Sequence, residues 1–412
     1  MKTLYRGGDV FDGEVRLAGH DVLVAGDRVE RLAPAAEFDG FAGEVVDISG
    51  GTLLPGLIDC HVHVCLGSEP DPSAAQDKLS PAELALRALE RAQATLAGGV
   101  TAIRDCGGPG FTDLAVRDAV NEGRFAGPTM RAAGQAICMT GGHGNRMGRI
   151  ADGPDEVVKA VREQVHAGAD LVKLMATGGV MTPGVDPADA HFSADEMAAG
   201  IREAGRFRRR TASHAQGAEG ILNAVRGGIT SVEHGIFMND DCIEEMLARG
   251  TYLVPTLSAV RNILENRDKG IPAWAVEKTE RVYEVHKRAF RRFHEAGGRI
   301  AMGTDAGTPF NQHGDNAQEL AYMVEGGMSA IDALRAATSI AADLVDLPER
   351  GRIRKGHMAD FLIVEGDPLA DIAQVARRAN HRLVVKAGRS EGAGAVAVRG
   401  APPRVAVAAG AA

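Results

Sequence analysis

His61 and His63 stand two residues apart at the end of an apolar run, residues 57–64. If that run is a strand, residues i and i+2 share a face and the two imidazoles point together. Such a pair can bind one cation, or it can be hydrogen-bonded structure; the spacing alone leaves both open. Lys173, His214, His234 and Asp305 each stand at the end of a further short run. His and Asp side chains suit Zn2+ and similar divalent ions. Six such groups exceed what one tetrahedral site uses, so the set predicts two divalent metal ions, with Zn2+ the expected metal.

Lys173 enters by a different route. An ammonium close to two dications is repelled, and positive charge together with desolvation lowers a lysine pKa until neutral amine is available. A neutral amine can add carbon dioxide and become a carbamate (N6-carboxylysine), whose two oxygens can bridge two metals. The alternative is a lysine paired with an acid, and the apolar neighbours in 171–175 weigh against it.

The elements that must position these groups follow from the pattern around them. Strand candidates are residues 57–64, 100–105, 129–133, 171–175, 211–214, 231–234, 252–256 and 300–304. Helical stretches separate them. Residues 81–97 are one, opened by Pro81 and carrying Leu84, Leu86, Leu89 and Leu96 among charged residues. Glycines at 98–99, 168, 227–228, 250 and 297–298 close the preceding helices. This alternation is the mark of βαβ units and a parallel sheet. Eight units predict an α/β chain built on a (β/α)8 TIM-like barrel over residues 56–351, a fold that keeps its chemistry at the C-terminal ends of its strands. Short strands at 4–5, 21–24, 28–32 and 44–47 precede it, and 361–364 and 383–385 follow it. They predict a small β-sandwich module formed by N- and C-terminal strands, residues 1–55 and 352–390. Ala, Gly, Val and Pro dominate residues 391–412, which read as a weakly ordered tail.

Composition narrows the partners. Aromatic residues are only 4 %, so the core must come from Val, Ile, Leu and Ala. A net charge of −9 argues against nucleic acid as a partner. The five cysteines, Cys60, Cys65, Cys106, Cys138 and Cys242, form no CxxC pair and suit reduced thiols in a cytoplasm. No run of 18 apolar residues occurs, and the first ten residues have no signal core, so neither a membrane span nor standard export is expected. The expected partner is a small-molecule substrate; a homo-oligomer stays open.

The run Leu54-Pro55-Gly56-Leu57-Ile58-Asp59-Cys60-His61-Val62-His63 resembles the opening metal motif of the amidohydrolase superfamily. Lys173, His214, His234 and Asp305 match its two-metal subtype in order and context. Three further stretches, residues 140–144, 173–179 and 351–360, resemble the prolidase and metallocarboxypeptidase branch, which is near imidazolonepropionases, phenylurea hydrolases and ochratoxin-type amidases. The resemblance implies that His61, His63 and Asp305 hold the more buried metal. It assigns His214 and His234 to the more exposed one, with carboxylated Lys173 as the bridge and a hydroxide between the ions. Asp305 would then act as the general acid–base group.

His143 stands in a Gly-rich loop, residues 141–146, where glycines permit close approach to a ligand. The resemblance gives it a substrate carbonyl or carboxylate to bind; the alternative is a loop His that caps backbone groups. Arg146 can pair bidentately with a substrate carboxylate or stand as a solvated loop charge. Phe237 falls where relatives often carry a Tyr; Phe cannot donate a hydrogen bond, which suggests a more apolar substrate. Arg104 and Asp105 read as a pair behind the site. Cys60 should point away from it, and His191, His286, His294, His313 and His381 read as surface or core. The predicted reaction is hydrolysis of the amide bond of a dipeptide or N-acyl amino acid. The same site on a urea, carbamate, lactam or lactone is the alternative. A non-enzymatic scaffold should have lost ligands, and a single-metal deaminase does not need Lys173.

Overall fold

The structure, a computed structural model, describes residues 2–391. The predicted tail falls almost wholly outside the described residues; Glu391, placed in the tail from sequence, instead ends the strand Arg389–Glu391. Seven of the eight strand candidates form strands: Leu57–Val62, Val100–Asp105, Thr129–Ala132, Leu171–Met175, Arg210–Ala215, Ser231–His234 and Tyr252–Val254. The pairings among them are parallel. Asp170 N donates to Ala132 O at 2.9 Å and links the third strand to the fourth.

The eighth candidate, residues 300–304, is not a regular strand. It makes single bridging contacts instead. Ala301 N donates to Leu253 O at 3.0 Å on one side, and Cys60 N to Met302 O at 2.9 Å on the other. The reason is local. Thr304 N is shared between Asp59 Oδ1 at 3.1 Å and His61 O at 3.3 Å, and Asp305 N goes to the same His61 O at 2.7 Å, so two successive donors converge on one carbonyl and regular ladder spacing is lost. Asp305 then turns with φ 59°, a left-handed conformation that costs a non-glycine residue energy. Gly303 allows the tight approach: a Cβ there would lie 2.3 Å from Val254 Cγ1 and 2.9 Å from His61 Cβ.

Helices pack outside the strands. The helix Pro81–Ala97 shows why they form where they do. Ser80 caps it and completes a capping box with Glu83, Pro81 takes the first turn, and Gly98 ends it. Its buried face is Leu84, Ala88, Ala92 and Leu96, at helical spacing, whereas Leu86 is exposed. Strands from both ends of the chain share a six-stranded sheet, in the order Arg389–Glu391, His381–Lys386, Phe361–Glu365, Gly51–Pro55, Asp9–Phe11, Arg16–Leu17. A four-stranded sheet holds Lys2–Arg6, His20–Ala25, Arg28–Pro34 and Glu44–Asp47. Tyr5, Val22 and Val24 from the second sheet pack with Val10, Leu53, Phe361 and Val385 from the first in one apolar cluster. No helix among the described residues is long and apolar enough to cross a membrane. All five cysteines are free and buried.

Candidate active site

His61, His63, Lys173, His214, His234 and Asp305 converge at the C-terminal ends of the strands and line one cavity of about 240 Å³. Asp305 Oδ1 lies 3.5 Å from His61 Nε2 and 3.5 Å from His63 Nε2. Two ligands about 2.1 Å from a tetrahedral ion are separated by about 3.4 Å, so this trio fits a divalent cation as it stands. Lys173 Nζ is 3.4 Å from His61 Nε2 and buried. The His214 and His234 rings are 4.6 Å apart, and His234 is 5.2 Å from His61.

Each imidazole is held through its other nitrogen. His61 Nδ1 donates to Glu233 Oε2 at 2.8 Å and His63 Nδ1 to Gly107 O at 2.7 Å. His234 Nδ1 donates to Thr256 Oγ1 at 2.7 Å, whose own proton goes to Pro255 O. His214 differs: its Nε2 donates to Gly178 O at 2.8 Å, so Nδ1 is its free nitrogen. Such partners fix the tautomer and the ring plane, as the supporting groups of metal-bound histidines do. Burial, together with the positive charge of Lys173, holds His61 well below its usual pKa and His63 at about 4. Burial likewise pushes His214 and His234 down, so all four rings are neutral, the form that binds a cation. Burial lifts Asp305 to about 7 against the pull of Lys173; a bound cation would reverse that shift.

The backbone is strained where it carries these groups. His234, Thr256 and Asp305 have φ of 72°, 54° and 59°, and strain of this kind gathers at functional sites. Asp59 clamps the first strand to the last segment. It accepts from Thr304 Oγ1 at 2.6 Å, Asn316 Nδ2 at 2.7 Å and His61 N at 3.0 Å.

His143 is in the cavity wall, 4.3 Å from the His214 ring by centroid, with Nδ1 2.7 Å from Thr182 Oγ1. Its ring sits over Gly179, where a Cβ would come within 2.6 Å of it. Arg146 lines the mouth, half-exposed, and pairs there with Asp77. Phe237 is not in the wall. After His234 the chain turns at Gly235, and Phe237 N donates to Gln216 O at 2.8 Å. Its side chain therefore packs with Val180, Ile236 and Trp274 beside the cavity. The expected Arg104–Asp105 pair is also absent. Arg104 Nη2 bonds Glu233 Oε1 at 2.8 Å, while Asp105 accepts the backbone N–H groups of Val64 at 2.7 Å and Gly107 at 2.8 Å. Cys60 packs in an apolar cluster with Ile58, Ala102 and Val254.

Sequence reasoning missed Glu233 and Gln216. The usable signal for Glu233 was an acid next to a candidate ligand inside the short strand run 231–234; the structure buries it fully. Gln216, two residues beyond His214, lines the cavity, and its buried Oε1 has no hydrogen-bond partner.

Known proteins share this architecture. A Xaa-Pro dipeptidase crystal structure with methionine bound in its active site superposes with a TM-score of 0.86 at 32 % identity, covering 95 % of this chain and 100 % of that one. A prolidase structure complexed with N-methylphosphonate-L-proline gives 0.86 at 29 % identity, covering 95 % and 99 %. Ochratoxinase from Aspergillus niger is 33 % identical over 351 residues, 78 % of this chain and 71 % of that protein. Residues 52–390 match the Amidohydrolase family model, and the chain belongs to that family.

Proposed function

We propose that this amidohydrolase cleaves the amide bond of a dipeptide or N-acyl amino acid, with two divalent cations, Zn2+ by preference, at the cavity floor. His61, His63 and Asp305 would hold one, His214 and His234 the other, and Lys173, carboxylated on Nζ, would bridge them. Such ions supply Lewis acidity toward the scissile carbonyl and lower the pKa of water. The observation that carries this reading is one cavity that ends on all six groups and has both an apolar wall, with Val180, Val260 and Ile263, and a cation at its mouth, Arg146. The wall suits an apolar side chain or acyl group. Arg146 can exchange Asp77 for a substrate carboxylate, a fork-on-carboxylate contact. Asp305 takes the proton of the attacking water on its carboxylate and returns it to the leaving nitrogen. His143, tied at Nδ1 to Thr182, offers Nε2 to the substrate carbonyl or carboxylate.

The same reading takes residues 299–306 as the eighth member that closes the barrel, and the two terminal sheets as a sandwich module; the bonds of that segment to Leu253 and Cys60 support the first. Five buried free thiols suit a cytoplasmic enzyme. The test is a metal-loaded preparation assayed against dipeptides and N-acyl amino acids beside aryl ureas, carbamates, lactams and lactones. Turnover confined to the second group would overturn the assignment.

A further inference from the structure

At the opposite end of the strands lies a second pocket, of about 70 Å³, with an unusual lining. Arg104, Arg131, Arg208, Arg209 and Arg210 face it, against two acids, Asp170 and Asp346. The excess is cationic on a chain whose net charge is −9.

The acids are already committed. Asp170 takes Arg117 at 2.5 Å and Arg131 at 3.4 Å; Asp346 takes Arg210 at 3.1 Å. Arg131 and Arg210 also bind backbone carbonyls, Asp346 O at 2.8 Å and Leu344 O at 2.7 Å, so they anchor the segment that forms one rim. Arg104, the inner wall, is satisfied by Glu233, Ser231 Oγ and Cys60 O. Arg208 and Arg209 remain. No carboxylate pairs with either among the described residues, and Arg209 Nε is buried without any hydrogen-bond partner.

A buried guanidinium N–H without an acceptor is rare and calls for a partner. Guanidinium forks match the oxygens of a phosphate or similar oxyanion, and they stay charged at any working pH. The rims add a further sign. Arg208 and Asp346, neither a glycine, both line the pocket and both hold left-handed φ, 56° and 58°. The turn that presents Arg208 and Arg209 joins the helix Ala194–Arg206 to the strand Arg210–Ala215. It therefore lies at the N-terminal ends of the strands, away from the cavity that holds His61.

We propose that this pocket is an anion site that takes free inorganic phosphate, held by Arg208 and Arg209. Its inner wall, Arg104, bonds Glu233, and Glu233 bonds His61, so the wall of the pocket is linked by hydrogen bonds to the candidate metal centre.

The test is equilibrium dialysis of metal-loaded protein against labelled phosphate at fixed ionic strength, with chloride as the balancing anion. Wild type, Arg209→Met and Arg208→Ala are compared. Phosphate that binds at the metal centre is common to all three and cancels. The expected result is one equivalent per chain more in the wild type than in Arg209→Met, with affinity at that site weakened at least tenfold in Arg208→Ala. Arg208 is exposed, so its variant reads the site even if Arg209→Met folds poorly. Equal stoichiometry and equal affinity in wild type and Arg208→Ala would overturn the proposal and leave Arg209 Nε to water.

Discussion

At the C-terminal ends of the strands, burial drives His63 to about 4 and His143 to about 3 and leaves imidazoles that are empty-handed bases. At the N-terminal ends, Arg131 and Arg210 are guanidinium groups, and each meets a carboxylate. The imidazoles at one end carry no extra proton and so can accept cations; the other end has gathered cations and can accept an anion. The two meet along Arg104, Glu233 and His61. Burial opposes the charge on Arg104, yet its pKa is raised, with Glu233 foremost among the neighbouring groups that favour the charge. The contrast teaches that depth alone does not set charge. What sits on the far side of each buried group does.

The largest expected effect is at Asp305. Asp305→Asn keeps the shape and removes the base, and turnover of the metal-loaded protein should fall at least about a hundredfold. A loss under about tenfold would mean that another group moves the proton. Lys173→Ala comes next: it should lose bound metal by elemental analysis, together with activity, and short carboxylic acids should restore part of the rate. Bicarbonate should assist metal loading of the wild type. An unmodified ammonium in a metal-loaded crystal would break this account.

Glu233→Gln strikes the line between the two ends. It strands Arg104 without its acid, so stability should drop by about 3–5 kcal/mol. The loss of the carboxylate on His61 Nδ1 should weaken metal binding about 10–100-fold. Denaturant melts and metal titrations read the two separately. Unchanged metal affinity would show that the line does not tune the site.

A gentler test uses His286, which is buried, donates from Nε2 to His234 O at 3.0 Å and is held by burial at about 4. The unfolded chain binds a proton there below about 6.5 and the folded one only near 4. Its contribution to stability is therefore lost as pH falls through that window. Asp59 and Glu319, raised by burial to about 6 and about 7, act in the opposite sense, so the readout is a difference. The metal-free wild type should lose more stability between pH 6.5 and 4 than His286→Gln does. Parallel slopes would refute the assignment. The smallest effect belongs to the other end. Asp170→Asn leaves Arg117 with Gly168 O and Arg131 with Asp346 O, so it should cost only about 1–2 kcal/mol by thermal melt.

The candidate ligands were legible because strand ends carry their own signature: an apolar run that stops on His, Lys or Asp. The supports were less so. Asp59 stood inside the quoted motif, yet its grip on Thr304 and Asn316 joins residues some 250 positions apart, and no local pattern encodes such a partner. For the same reason Arg104 was matched to its neighbour Asp105 when its acid is Glu233. Residues 300–304 carried the apolar content of a strand, but Thr304 N is shared between the Asp59 carboxylate and His61 O, and Asp305 N takes that same carbonyl, which breaks the ladder spacing. The strand Gly51–Pro55 was hidden for the opposite reason: it runs into Leu57–Val62 with only Gly56 between, and the two belong to different sheets.

The tether on His214 has a consequence for substitution. Three rings present Nε2 inward, the far nitrogen, while His214 is tied at that position to Gly178 and presents Nδ1, the near one. Amide side chains come in two lengths that mimic these two reaches: an Asn oxygen falls close to where Nδ1 sits, and a Gln oxygen close to Nε2. The same histidine-to-amide exchange is therefore not equally conservative around the cavity. At His234 the longer amide preserves the donor atom's place, at His214 the shorter one does, and swapping the two would leave each site with an oxygen one methylene out of reach.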